Sequence, residues 1–167
     1  GFDEFSAAAT GAVRAIAQAR LGASNCRLID PLEAKTTMAG DGTKALLLRG
    51  FESADCPVGT LLDQGVRIAE QHGGKVLSSR VSEPDFEAGD KKGTGGGSQW
   101  KDSFLLAPYL RDTFVACGVL SETFETAITW DRFEEFHADV MSTARRVVAE
   151  VCGVSPDREG APRISCR

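Results

Sequence analysis

The side chains of this sequence that could do chemistry unaided are two histidines, five cysteines and two glycine-rich stretches. Cys26, Cys56, Cys117, Cys152 and Cys166 form no CxxC pair and have no run of histidines beside them. A zinc site needs three or four closely spaced ligands, and disulfide scaffolds are shorter and denser in cysteine. The five therefore read as reduced thiols, buried or half-buried, of a cytosolic protein. His72 and His137 fall on expected helices beside charged neighbours, without a serine or cysteine partner for a nucleophile–histidine triad. Gly93-Thr94-Gly95-Gly96-Gly97-Ser98 lacks the lysine of a P-loop and follows a polar stretch instead of a strand. Gly40-Asp41-Gly42-Thr43-Lys44 leads into a strand and has no helix N-terminus behind it. No paired-carboxylate motif stands out. These residues alone describe an α+β domain without a self-sufficient active site.

The elements that would position such residues follow from hydrophobic spacing. Phe5, Ala8, Ala9, Ala12, Val13 and Ile16 recur at three- and four-residue steps, predicting a helix over 3–20 with Gly22 at its end. Asn25 to Ile29 suits a short strand, which Asp30-Pro31 terminates. Residues 31–43 read as loop or turn, and Lys44 to Phe51 as a buried strand. Asp55 can cap a helix over 56–72, stopped by Gly73-Gly74, and Lys75 to Ser79 suits a further strand. Residues 82–99, rich in glycine, lysine and aspartate, read as a linker or mobile loop. From Gln99 to Cys117 the spacing is helical, with Pro108 breaking it into two short helices. Val119 to Thr129 suits a strand, and Trp130 to Cys152 a long helix whose stripe runs from Trp130 to Val151. Arg163 to Arg167 begins a last strand. Helices alternating with such strands predict an α+β fold, an antiparallel sheet with flanking helices in a ferredoxin-like arrangement.

At 167 residues and 17.8 kDa, with 42% hydrophobic and 26% charged residues, the chain suits one globular domain. Surface scaling lets it bury about two-thirds of its unfolded area. The net charge of −5 and the dispersed bases exclude a nucleic-acid or anionic-membrane binder of the usual basic kind. The longest apolar run, Phe104-Leu105-Leu106-Ala107, is far short of a membrane span.

Three segments carry a resemblance. Ser24-Asn25-Cys26-Arg27-Leu28-Ile29-Asp30, Ala107-Pro108-Tyr109-Leu110-Arg111-Asp112, and Ser121 to Arg132 (Ser-Glu-Thr-Phe-Glu-Thr-Ala-Ile-Thr-Trp-Asp-Arg) stand in a familiar order and spacing. His72-Gly73-Gly74 and Arg163 to Arg167 also fit. The chain resembles the C-terminal cap domain of FAD-linked oxidases of the vanillyl-alcohol-oxidase type. Within that superfamily it is most similar to alkyldihydroxyacetonephosphate synthase (alkylglycerone-phosphate synthase) and its bacterial relatives. The resemblance implies an FAD-binding domain of the same chain as partner, with the cap closing the substrate cavity over the flavin. It implies that residues 1–167 are a partial cap domain, the FAD-binding domain and the end of the cap lying outside them, and that this piece is not catalytic alone.

The resemblance puts an active-site arginine at Arg111, a cavity wall at Tyr109 and a second site or interface arginine at Arg27. A guanidinium grips a phosphate or carboxylate in bidentate fashion, so a small-molecule or acyl-phosphate-type substrate is implied. Each residue also has a plain alternative: Arg111 pairing with Asp112 or capping a helix, Tyr109 packing, Arg27 serving the fold. Two parent chemistries stay open, an ether-lipid-forming synthase and a 2-hydroxy-acid oxidase or dehydrogenase. The alternative is a stand-alone α+β ligand-binding module that dimerises through an exposed sheet edge.

Overall fold

Leu46-Leu47-Leu48 is apolar at consecutive positions, which suits a strand covered on both faces. In the computed structural model, which describes residues 1–80, 96–155 and 161–167, it is the centre of β2 (Leu46–Gly50). β2 pairs antiparallel with β1 (Asn25–Ile29), setting Leu28 opposite Leu47 and Ile29 opposite Leu46. The chain divides into two compact units, residues 1–121 with Arg167, and residues 122–166.

In the first unit, the pleat sends alternate side chains to opposite faces. One face, with Leu28, Ala45 and Leu47, packs against Ala9 and Ala12 of α1 (Ala7–Gln18) and Ala69 of α3 (Gly59–Gln71). The other, with Ile29, Leu46 and Leu48, packs against Ala34 of α2 (Pro31–Thr36) and Ala39. Small residues let α1 and α3 approach closely. A Cβ on Gly11 would stand 3.2 Å from the His72 ring, whose Nδ1 is bonded to the Ile68 carbonyl (2.9 Å). The ladder gains a partial edge: Phe2 and Ala45 exchange two backbone bonds (2.8 and 3.0 Å), and Gly1 and Lys75 exchange two more (2.6 and 2.9 Å).

The α+β reading holds, with flanking helices on an antiparallel ladder. Several local expectations change. Asp30-Pro31 does more than end β1. Asp30 Oδ1 accepts the Glu33 N–H (2.7 Å), and Pro31 occupies the first turn, where its missing donor costs nothing, so the dipeptide starts α2. Asp55 caps no helix. Ser53 Oγ accepts the N–H groups of Asp55 and Cys56, folding that stretch as a turn, and α3 begins later, at Gly59. α4 (Gly96–Ala116) runs unbroken through Pro108. Its exposure lets water satisfy the carbonyl that the proline leaves without a donor. Left-handed backbone at Gly73 (φ 83°) and Gly118 (φ 73°) ends α3 and α4, with the next N–H reaching back to the Ala69 and Phe114 carbonyls.

Residues 119–129 and 163–167, expected as strands, form neither strand nor helix, and of 75–79 Lys75 alone is seen to pair. Strand propensity is realised only against a partner strand, and the described residues supply none there. The glycine-rich stretch expected as a loop lies outside the described residues up to position 95; from Gly96 it is already helix.

The second unit is α5 (Phe133–Cys152) with a 3-10 turn, Trp130–Arg132, at its start. Trp130 and Phe133 are 6.2 Å apart and tilted, and Phe133 stacks on His137 at 5.7 Å. Of the expected stripe, Phe133, Phe136, Val140, Met141 and Ala144 are half-buried, while Val147, Val148 and Val151 are exposed.

Gly74 sits where no side chain fits: a Cβ would lie 2.8 Å from the Ala69 carbonyl oxygen and 2.9 Å from the Phe2 ring. Gly74→Ala is expected to cost about 2 kcal/mol by overpacking. Gly59→Ala, with nothing within 4 Å, is expected to leave stability unchanged or raised. Urea unfolding checks this, and equal midpoints for the two variants would refute the packing described.

Candidate functional site

Tyr109 and Arg111 both lie on α4, and the helix itself decides how they relate. Residues two apart stand about 200° apart around a helix, so the two side chains leave on different sides. Tyr109 is 71% exposed, and its carbonyl accepts the Thr113 hydroxyl (3.0 Å). Arg111 is also exposed. Leu105, Leu106, Leu110, Phe114 and Val115 surround them, all exposed as well. An α-helix that is apolar on nearly every side is normally buried. From Asp102 to Ala116, Arg111 is the one cation in this apolar surface.

Arg27 stands on a different element. It projects from β1 on the face that carries Ile29 and Leu48, its cross-strand partner, and it is exposed. The structure therefore brings two of the three sequence candidates onto one helix and leaves the third in the ladder.

Two residues that the sequence reading passed over have sharper environments. Arg49, opposite Cys26 in the ladder, lies half-buried beneath α3. Its Nη1 donates to the Gly65 carbonyl (3.2 Å), and a Cβ on Gly65 would meet its side chain at 3.3 Å. Its buried Nε has no hydrogen-bond partner. Burial pulls this guanidinium below its usual value, opposed by Cys26 and Glu70. Burial likewise pushes the Cys26 thiol up, against the pull of Arg49. The second is Ser103, whose Oγ donates to the Thr37 carbonyl (2.7 Å) and so joins α4 to the end of α2. Its signal was present in the spacing Ser103, Ala107, Leu110, Phe114, one face of a helix.

A shallow groove of about 380 Å³ is lined by Ala19, Leu21, Gln64, Arg67, Ile68 and Gln71, and includes none of the three candidates. Among the described residues no group of histidines, cysteines and acids could hold a metal ion, and no helix is long and apolar enough to cross a membrane.

Residues 1–155 match the family described as FAD linked oxidases, C-terminal domain. No curated protein matches the chain, and no solved structure does. The match covers most of the chain, and the protein belongs to this family. The family's cofactor is FAD, bound mostly by the N-terminal domain, and membership makes this the substrate-binding domain of a flavin-dependent enzyme. Both connections from strand to helix are acidic where a flavin pyrophosphate would need N–H groups and cations: Asp30 fills the start of α2, and Glu52 and Asp55 precede α3.

The contrast between two thiols is testable. Cys56 is exposed, whereas Cys26 is half-buried with its thiol held protonated. At about pH 8, where the thiolate is the reacting species, iodoacetamide is expected to label Cys56 well before Cys26. Arg49→Met, which keeps the packing stem but removes the cation, is expected to slow Cys26 further. Peptide mapping reads both rates, and faster labelling at Cys26 would overturn this account of its burial.

Proposed function

We propose that this domain is the substrate-facing cap of a flavoenzyme whose substrate carries a phosphate or carboxylate, and that Arg111 grips that group. The observation that carries the reading is the placement of Arg111, the one cation along the exposed apolar stretch of α4 from Asp102 onward. Once a flavin-bearing domain covers such a surface, the guanidinium is drawn out of water, where a bidentate bond to an anion gains strength. Tyr109, on another side of the same helix, lines the cavity wall. Arg27, on the ladder, serves the site or the contact with the flavin domain.

The likeness of residues 107–112 and 121–132 to alkyldihydroxyacetonephosphate synthase supports an acyl-dihydroxyacetone phosphate as substrate, with the phosphate on Arg111. In an FAD-linked 2-hydroxy-acid oxidase or dehydrogenase, the substrate carboxylate would take the same place. The visible spectrum of the full-length flavoprotein separates the two. Bleaching on adding a 2-hydroxy acid selects oxidoreductase. Unbleached flavin with acyl-to-alkyl exchange on acyl-dihydroxyacetone phosphate selects synthase.

Arg111→Ala in the full-length enzyme is expected to lower kcat/KM by about 10–100-fold, the scale of a lost charge-assisted bond, with the melting temperature unchanged. Arg111→Lys is expected to recover only part, because an ammonium lacks the planar fork. Parallel loss of folding and activity would show instead that Arg111 holds the structure. Residues 1–167 alone are expected to bind FAD more weakly than about 1 μM, which a fluorescence titration checks.

A further inference from the structure

At the end of α2 a carbonyl is taken by a neighbouring helix. The carbonyls of Leu32, Glu33, Ala34 and Lys35 are taken locally, by Thr36, Thr37, Gly40 and Met38. Thr37 turns its own hydroxyl back to Glu33 (2.7 Å), and Met38 follows in the left-handed region (φ 58°), a conformation that costs about 1–2 kcal/mol for a residue other than glycine. The Thr37 carbonyl is then filled from α4, by Ser103 (2.7 Å). A helix C-terminus needs its last acceptors satisfied, and here the donor is a side chain of the helix that carries Arg111.

A second observation fixes the same face. Ala107, Leu110 and Phe114 follow Ser103 at steps of four, three and four residues. Leu110 and Phe114 are 46% and 38% exposed, against 54–71% for Leu105, Leu106, Tyr109 and Val115. Of the described large side chains of α4, those on the Ser103 side are thus the less exposed. Arg111 stands about 80° around the helix from Ser103, beside the seam.

We infer that Ser103 is a positioning residue: its hydrogen bond to the Thr37 carbonyl sets the rotation of α4 and with it the direction of Arg111. This rests on the reading of Arg111 as the anion-binding residue. The hydrophobic face alone sets rotation loosely, because dispersion contacts are non-directional, whereas a hydrogen bond weakens steeply off its axis. Loss of the hydroxyl leaves α4 folded and turns Arg111 away from its anion.

The test uses the full-length flavoprotein and flavin difference absorbance, with dihydroxyacetone phosphate as the phosphate probe and oxalate as the carboxylate probe. Ser103→Ala is expected to weaken the Kd of the responding probe about 5–10-fold, with flavin retained and the melting temperature near that of Thr113→Ala, a hydroxyl deletion on the same helix. Ser103→Thr keeps the donor and is expected to stay within about twofold of wild type. In an Arg111→Ala background, Ser103→Ala is expected to add no further loss, since the residue acts through Arg111. Wild-type affinity in Ser103→Ala, additive losses in the double variant, or a Ser103→Ala protein that unfolds or sheds FAD would each overturn the positioning role. Full affinity in Arg111→Ala, or no flavin response to either probe, would overturn the Arg111 reading itself and this inference with it.

Discussion

Pairing Leu28 with Leu47 and Ile29 with Leu46 commits the first unit to a ladder whose two faces are both apolar. A shift of one residue would exchange the faces of β2, sending Leu46 toward α1 and α3 and Leu47 toward α2. Each face would then meet a surface shaped for the other. The helices are therefore dictated by the ladder. α1 and α3 present alanines to one side, where close approach is needed, and α2 brings Ala34 to the other. The connection from β1 to β2 must cross the second face, and it does so as a helix because Asp30 and Pro31 make a helix start at that point. Small residues at the contacts keep the layers tight, as the crowding at Gly74 and Gly40 also shows.

What this scaffold holds out is α4. The helix is apolar nearly all round, and its large side chains from Leu105 to Val115 are exposed. A surface of that kind is built to be covered. On the reading proposed above, the flavin-binding domain is what covers it. The groove lined by Ala19, Leu21, Arg67 and Ile68 holds none of Tyr109, Arg111 and Arg27.

Much of this was legible in the residues, and the failures have a common cause. The helices α1, α3 and α5 and the strand β2 announce themselves by local periodicity or by a continuous apolar run, and they appear within a few residues of expectation. Asp30-Pro31 was ambiguous because the same dipeptide both stops a strand and starts a helix, and only the Glu33 N–H bonded to Asp30 resolves it. Pro108 misled because the propensity penalty is a local quantity, whereas the helical bonds on either side of it hold the helix together. Residues 119–129 carry strand-forming side chains, but a strand is a relation between two segments and composition describes one. The site residues divide in the same way. Arg111 could be singled out from its motif, whereas Ser103 acquires meaning only from the Thr37 carbonyl across the fold.

Arg49 and Arg111 show how one side-chain chemistry takes two roles. Arg49 is half-buried, holds the Gly65 carbonyl and is depressed by burial, so its charge is already committed to joining β2 to α3. Ligand binding there would have to break that bond and open the packing under Gly65, where even a Cβ is crowded. Arg111 is exposed on α4, among the exposed side chains of Leu105, Leu106, Leu110 and Val115. On the proposed reading, the cost of bringing an anion to it would be borne when the surface is covered, and the same covering would strengthen the bond formed. Burial on folding makes an arginine structural, whereas burial on assembly lets it be selective. If Arg111 belongs to the second kind, the rotation of α4, and with it the bond from Ser103 to the Thr37 carbonyl, decides which way it faces.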